Sequence, residues 1–324
     1  MRRRDFIAGL GGAAAWPLAA QAQQRSKPTI GFLSSRADFR STDSTAAFLR
    51  GLRENGYVEG QNVTIEYRPV EDRSDALLTV ARELAGRATL IATYDTTSAL
   101  AAKSATTTIP VVFSVGADPI KVGLVESLAR PNGNVTGVTF FANALGSKRL
   151  SLLSELVPAT ATFGFLFDPS NPNSESEITE MRLSADALGH KLVTASARSE
   201  SEIDAAFAML AAQRVGALAV AAHVYLGTRA QQLAQLSLRY HLPAIFAFRD
   251  SALAGGLISY GGSTAEAYHQ LGMYTARILK GESPSNLPVQ QVIRFEVVLN
   301  LKTAKALGLT IPPGVLAIAD EVIE

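Results

Sequence analysis

Short stretches of this chain gather hydroxyls, carboxylates and aromatic rings at the ends of apolar runs. They are Ser34 and Ser35; Tyr94 with Asp95, Thr96, Thr97 and Ser98; Ser114 through Asp118 and Pro119; Asp168 through Asn171; His223 through Tyr225; and Phe248 with Arg249. These residue types suit holding a small molecule rather than breaking one. Hydroxyls and free backbone N–H groups at a helix start favour an anionic group. A carboxylate such as Asp118 suits an ammonium, and the rings of Tyr94, Tyr225 and Phe248 suit a planar face. The fork of Arg249 could clamp a carboxylate. Plainer roles stand beside these. Asp118-Pro119 has the form of a helix N-cap followed by proline at the first helical position. Thr96, Thr97 and Ser98 could be capping hydroxyls, the aromatics could close a core, and Arg249 could pair with Asp250.

Covalent chemistry finds no support. Ser259 has Leu257, not glycine, two places before it, so the G-x-S-x-G elbow is absent. No G-x-x-x-x-G-K-[ST] loop occurs, nor a G-x-G-x-x-G beyond the N-terminal segment. His190, His223, His241 and His269 show no metal-binding spacing. Glu200 and Glu202 fall at a helix start, where carboxylates complement the dipole. With no cysteine, disulfides, thiolate sites and a lipid-attachment cysteine are all excluded. The expectation is a binding protein without enzymatic activity, metal or cofactor.

The elements that must position these residues alternate from Lys27 onward. Thr29 to Ser34, Val63 to Tyr67, Thr89 to Tyr94 and Pro110 to Val115 read as strands. Helical patterns near Ala46 to Leu52, Ala76 to Leu84 and Ser98 to Ala105 lie between them. The second half repeats the order. Strands are predicted over Thr162 to Phe167, Lys191 to Ala195, Ala217 to Ala221 and Pro243 to Phe248. Helices are predicted over Glu175 to Leu188, Glu202 to Leu210 and Arg229 to Tyr240. Single helices between strands imply βαβ units and parallel sheets. The turn-rich Pro131 to Gly137 reads as the connector. After a glycine-rich return, the helix Ala265 to Leu279 and the strand Phe295 to Leu299 cross back to complete both sheets. In open parallel sheets, ligands bind outside the carboxyl ends of the strands, which is where the stretches above fall.

The halves are repeats. Ile30-Gly31-Phe32-Leu33 matches Phe163-Gly164-Phe165-Leu166, and Ile109-Pro110-Val111-Val112-Phe113 matches Leu242-Pro243-Ala244-Ile245-Phe246. The spacing is the same in both cases, 133 residues (164 − 31 and 243 − 110). Two similar α/β lobes facing a shared cleft follow.

The chain has 324 residues, 47 % of them apolar, enough for two cores. Its net charge of +1 argues against nucleic acid as a partner. Arg2-Arg3-Arg4, the apolar run Ala8 to Ala20 and Ala20-Gln21-Ala22 read as an export signal over residues 1–22. Arg3-Arg4-Asp5-Phe6-Ile7 resembles the twin-arginine form, with an ordinary secretory signal as the alternative. The mature chain would start near Gln23, without Trp16, outside the cytoplasm.

Several long motifs in order resemble bacterial ABC-transporter solute-binding proteins of the tryptophan/tyrosine type, over about residues 28 to 324. They are Gly56-Tyr57-Val58-Glu59-Gly60-Gln61-Asn62-Val63, Ala129 to Thr139, Asp168-Pro169-Ser170-Asn171-Pro172-Asn173, Ala254 to Gly261, and Asn300 to Leu309. The resemblance implies a type I periplasmic-binding-protein clamshell, α/β, of two Rossmann-like lobes with parallel sheets joined by three hinge crossings. The lobes would be 23–139 plus 261–290 and 140–260 plus 291–324. Hinges would lie near Val138 to Phe141, Tyr260 to Gly262 and Gln291 to Phe295. The implied function is a periplasmic receptor, monomeric and not lipid-anchored. It would deliver an amino acid or related carboxylate to an ABC permease and ATPase. A sensor feeding a signalling partner is the alternative. The ligand set expected in the cleft is Ser34, Ser35, Tyr94, Thr96, Thr97, Ser98, Ser114, Asp118, Pro119, Asp168, Asn171, Tyr225, Phe248 and Tyr260. Members often carry a Gly-rich or Gly-Thr-Pro segment where this chain has Tyr94-Asp95-Thr96-Thr97. They often carry an Asp-Pro-Phe-like stretch where it has His223-Val224-Tyr225. Both departures lie at the cleft and bear on which ligand it takes.

Overall fold

The computed structural model describes residues 27–37, 39–70, 74–140, 142, 145–171 and 173–324. The expected export signal at 1–22, with Trp16, lies outside the described residues, as does Phe141 of the first expected hinge. The first part of the chain forms β1 (Thr29–Ser34), α1 (Asp43–Glu54), β2 (Thr64–Pro69), α2 (Ser74–Ala85), β3 (Leu90–Thr93), α3 (Thr96–Ala105), β4 (Val111–Val115) and β5 (Val135–Thr139). The second forms α4 (Gly146–Leu156), β6 (Thr162–Phe167), α5 (Ser174–Ala187), β7 (Lys191–Ser196), α6 (Glu200–Ala212), β8 (Ala217–Val220), α7 (Val224–Thr228), α8 (Ala230–Arg239), β9 (Ala244–Phe246), α9 (Arg249–Leu253) and β10 (Ile258–Gly262). The return adds α10 (Thr264–Leu279), β11 (Gln290–Gln291), β12 (Phe295–Asn300), α11 (Leu301–Ala306), α12 (Pro313–Ala317) and β13 (Glu321–Ile323).

The strands make two sheets. The first runs β11-β5-β4-β3-β1-β2 and the second β13-β12-β10-β9-β8-β6-β7. The first is parallel throughout, whereas β12 joins β10 antiparallel. Central strands such as Val111–Val115 and Leu90–Thr93 are buried along their whole length, as expected of strands covered on both faces. The sequence repeat is structural. β1 and β6 start at Thr29 and Thr162, and β4 and β9 start at Val111 and Ala244, keeping the same spacing.

The chain passes between the sheets after Thr139, after Gly262 and after Gln291, which makes three crossings. Val135–Thr139 is a buried strand, not part of a loose connector. Its turn-like composition has a packing reason: a Cβ on Gly137 would run into the Phe113 backbone. Gly261 and Gly262 pair in β10 with the second sheet, and Gln291 pairs in β11 with the first.

After the second crossing, α10 returns to the first sheet and packs on α1 at backbone distance. A Cβ on Gly51 would meet the His269 carbonyl, and one on Gly272 the Phe48 carbonyl. His269 Nε2 and Glu54 Oε2 pair at 2.6 Å along this seam. Further on, the Thr136 hydroxyl donates to the Leu287 carbonyl (2.6 Å) and the Tyr274 hydroxyl to the Pro288 carbonyl (2.7 Å).

Arg149, 2 % exposed, ties two crossings together. Its Nη2 donates to the Ala142 carbonyl (2.8 Å), its Nη1 approaches the Tyr260 carbonyl (3.4 Å), and Glu177 Oε1 lies 3.7 Å away. Burial pulls the guanidinium below its ordinary value, and the Glu177 carboxylate opposes that pull.

Candidate functional site

A cavity opens between the sheets at the carboxyl ends of their strands. Water-sized spheres can centre themselves in about 80 Å³ of it, several times the ~10–15 Å³ that one water needs. Both lobes line it. Outside the cavity lining, Lys121 Nζ of one lobe stands 3.4 Å from Glu180 Oε1 of the other, so the lobes approach each other closely.

The first lobe presents the start of α3. Asp95 is its N-cap, in extended backbone. Asp95 Oδ1 accepts the Ser98 N–H (2.8 Å) and Oδ2 accepts the Ser35 N–H (2.8 Å), with the Ser34 hydroxyl at 3.4 Å. This carboxylate, 5 % exposed, is occupied in fastening the β1 loop to the helix. Thr96 and Thr97 follow at the cavity wall. Among the described residues their backbone N–H groups meet no acceptor, as is normal for the first turn of a helix. Arg36 and Ser44 also line this side.

Aromatic rings form the walls. Tyr94 packs at 4.6 Å from Tyr268 and 5.4 Å from Phe39 while also facing the cavity. The Tyr268 hydroxyl donates to the Tyr94 carbonyl, and Tyr94 Oη lies 3.3 Å from Thr42 Oγ1. Burial pushes both phenols up, Tyr268 well above its usual range, so both stay neutral. Phe140, at the first crossing, and Phe248, ahead of α9, complete the apolar surface.

The second lobe contributes Asn171, His223 and Asp250. Asn171 Oδ1 accepts the Asn173 N–H (3.1 Å), which leaves its amide N–H groups without an acceptor among the described residues. His223 Nδ1 stands 2.9 Å from Asp168 Oδ2. Asp168 Oδ1 accepts from the Ser170 N–H (2.8 Å) and hydroxyl (2.7 Å). Burial works against the Asp168 charge, but the contacts to His223 and Ser170 win and hold its pKa below the ordinary value. The exposed Asp250 faces Tyr94 across the gap and has no ion pair among the described residues. Its neighbour Arg249 is engaged with Glu321 instead, at 2.7 and 3.0 Å.

Of the residues expected from sequence, Tyr94, Thr96, Thr97, Asn171 and Phe248 line the cavity. The others stand outside that lining. Ser34, Ser35 and Ser98 meet through Asp95. Ser114 is buried inside β4. Asp118 Oδ1 accepts the Ile120 and Lys121 N–H groups at 2.9 and 3.3 Å. Asp118 and Pro119 thus build a tight turn, and no helix follows. Asp168 stands behind His223. Tyr225 is buried, with Arg229 over its ring at 5.3 Å, and Tyr260 packs tilted against Phe295 at 6.1 Å. Sequence reasoning passed over Arg36, Ser44, Phe140, Asp250, Thr264 and Tyr268. Asp250 is the neighbour of the candidate Arg249. Phe140, Thr264 and Tyr268 reach the cavity from the crossings and α10, where strand-end logic gives no signal.

This architecture is that of the type I periplasmic binding proteins, two α/β lobes about a cleft. A family described as ABC transporter substrate binding protein matches residues 41–323, and the chain belongs to it. The tyrosine-binding protein of Clostridioides difficile (strain R20291) is 25 % identical over 263 residues, 81 % of this chain and 75 % of that protein. Among solved structures, a conserved domain protein of Vibrio cholerae O1 biovar eltor is 26 % identical with a TM-score of 0.85, covering 92 % of this chain and all of that one. A Streptococcus pneumoniae ABC domain in complex with L-Trp is 26 % identical with a TM-score of 0.83 and the same coverage. Among the described residues no helix is long and apolar enough to cross a membrane, and no cluster of His, Asp and Glu suits a metal.

Proposed function

We propose that this protein is the periplasmic receptor of an ABC importer and captures an α-amino acid with an aromatic side chain between its lobes. One observation carries the reading. Thr96 and Thr97, whose N–H groups meet no acceptor among the described residues, and Asp250, whose carboxylate has no ion pair among them, line the same cavity from opposite lobes, between aromatic walls. The α3 terminus suits the ligand's carboxylate. Asp250 suits its ammonium, and Tyr94, Phe140 and Phe248 offer apolar faces to its side chain. The L-Trp complex and the tyrosine-binding relative support the ligand class.

Each lobe holds one charged end, so the ligand gains its second set of contacts only when the lobes close. That difference in affinity is what drives closure. The lobes would turn about the crossings after Thr139, Gly262 and Gln291, and the permease and ATPase would engage the closed form. Residues 1–22 direct export, and the mature chain acts as an unanchored monomer without catalytic activity.

The test is thermal unfolding of the chain from Gln23 against a panel of amino acids. A ligand at ~100 times its Kd adds about 2.7 kcal/mol, several degrees in midpoint. L-tyrosine or L-tryptophan should give the largest shift, and Asp250→Asn should abolish it. If no amino acid moves the midpoint, the reading fails.

A further inference from the structure

His223 is a residue of the second lobe whose chemistry the capture scheme leaves unused. It follows β8, as Thr96 follows β3, and these strands hold equivalent places in the two sheets. The imidazole therefore faces the cavity from the lobe opposite the α3 terminus. Asp168, 3 % exposed and outside the cavity lining, lies behind the ring with Oδ2 at 2.9 Å from Nδ1. The N–H direction at Nδ1 is off the line to that oxygen, so the close contact acts through charge rather than as an aligned hydrogen bond. Ser170 holds the other carboxylate oxygen by two hydrogen bonds, so the group behind the ring is fixed.

An ionised carboxylate against Nδ1 places the proton there. The neutral ring then offers its lone pair at Nε2, on the edge turned away from Asp168. With the ligand's carboxylate on the α3 terminus and its ammonium on Asp250, the group left to reach this edge belongs to its side chain.

Resting on the amino-acid reading above, we infer that His223, oriented by Asp168, is the acceptor that selects a ligand whose side chain carries a hydrogen-bond donor. A phenol O–H or an indole N–H has that chemistry; a plain phenyl ring does not. A site built around a polar group discriminates because the analogue leaves that group desolvated and unpaired.

The test is calorimetric titration of the chain from Gln23 with two pairs of ligands. L-tyrosine is compared with L-phenylalanine. L-tryptophan is compared with L-3-benzothienylalanine, in which sulfur replaces the indole N–H at nearly unchanged shape. The donor-bearing member of at least one pair should bind ten-fold or more tightly. His223→Phe should bring that ratio below about three-fold without weakening the donor-less partner. A structural role for His223 would weaken both members alike and leave the ratio intact, and that result overturns the inference. Equal affinities within both pairs for the unmodified chain overturn it as well while leaving amino-acid capture standing. Failure of all four ligands to bind overturns both.

Discussion

Replacing Arg149 with methionine removes one member of an ion pair that has almost no contact with water. Arg149 and Glu177 are each 2 % exposed. Their separation is 3.7 Å, with the Ala142 and Tyr260 carbonyls as further acceptors for the guanidinium and the Ala222 N–H 3.4 Å from the Glu177 carboxylate. Stranding one charge of a buried pair destabilises by about 3–5 kcal/mol. At about 2–4 °C per kcal/mol for a unit of 150–250 residues, the midpoint should fall by roughly 6–20 °C. Calorimetric unfolding of the ligand-free chain near pH 7.5 measures it. The companion variant is Arg149→Met with Glu177→Leu, which leaves no charge behind. It should recover most of the loss, because apolar replacement of a whole buried pair is often neutral. A shift below 2 °C for the single variant would refute the idea that this pair is desolvated. A double variant as unstable as the single would refute the stranded charge as the cause, leaving the lost carbonyl contacts at the crossings.

Gly272→Ala should destabilise the first lobe by at least about 1–3 kcal/mol, since its methyl group would strike the Phe48 carbonyl and push α10 off α1; thermal unfolding reads this directly. Asp168 has a folded pKa below its ordinary 3.8, so its stabilisation is complete above that value and is lost as pH falls through the lower folded value. Asp168→Asn should therefore flatten the acid limb of stability below about pH 4, checked by midpoint against pH from 2 to 7. Lys121→Ala should change ligand affinity less than about five-fold in titration, because an exposed pair contributes at most about 1 kcal/mol.

The strand framework was legible because its signals are local. Short apolar runs gave β1, β4, β6 and β9, and their repeat gave the two lobes. What escaped is glycine-rich backbone at the crossings. Pro131 to Gly137 reads as a connector and Gly261-Gly262 as part of a glycine-rich return, because their glycines break the apolar pattern of β5 and β10. In the fold, Gly137 and Gly261 lie where a Cβ would meet the backbone of a neighbouring strand or loop, at Phe113 and Ala247 respectively. The cleft was half legible for a related reason. Strand ends are visible in sequence, but whether a loop turns inward is decided by its own hydrogen bonds. Asp95 and Asp118 are both short carboxylates just past a strand. One fastens β1 to α3 and leaves Thr96 and Thr97 facing the cavity, while the other closes a turn outside the lining. Tyr268 comes from a helix 174 residues beyond Tyr94, and only the folded crossings bring the two together.

The most direct measurement is a crystal structure of the chain from Gln23 grown with L-tyrosine or L-tryptophan, whichever gives the larger thermal shift. The expected result is a closed cleft with the ligand carboxylate on the Thr96 and Thr97 N–H groups and its ammonium on Asp250. A ligand bound elsewhere, or one in this cleft with Asp250 and the α3 terminus both untouched, would contradict the account.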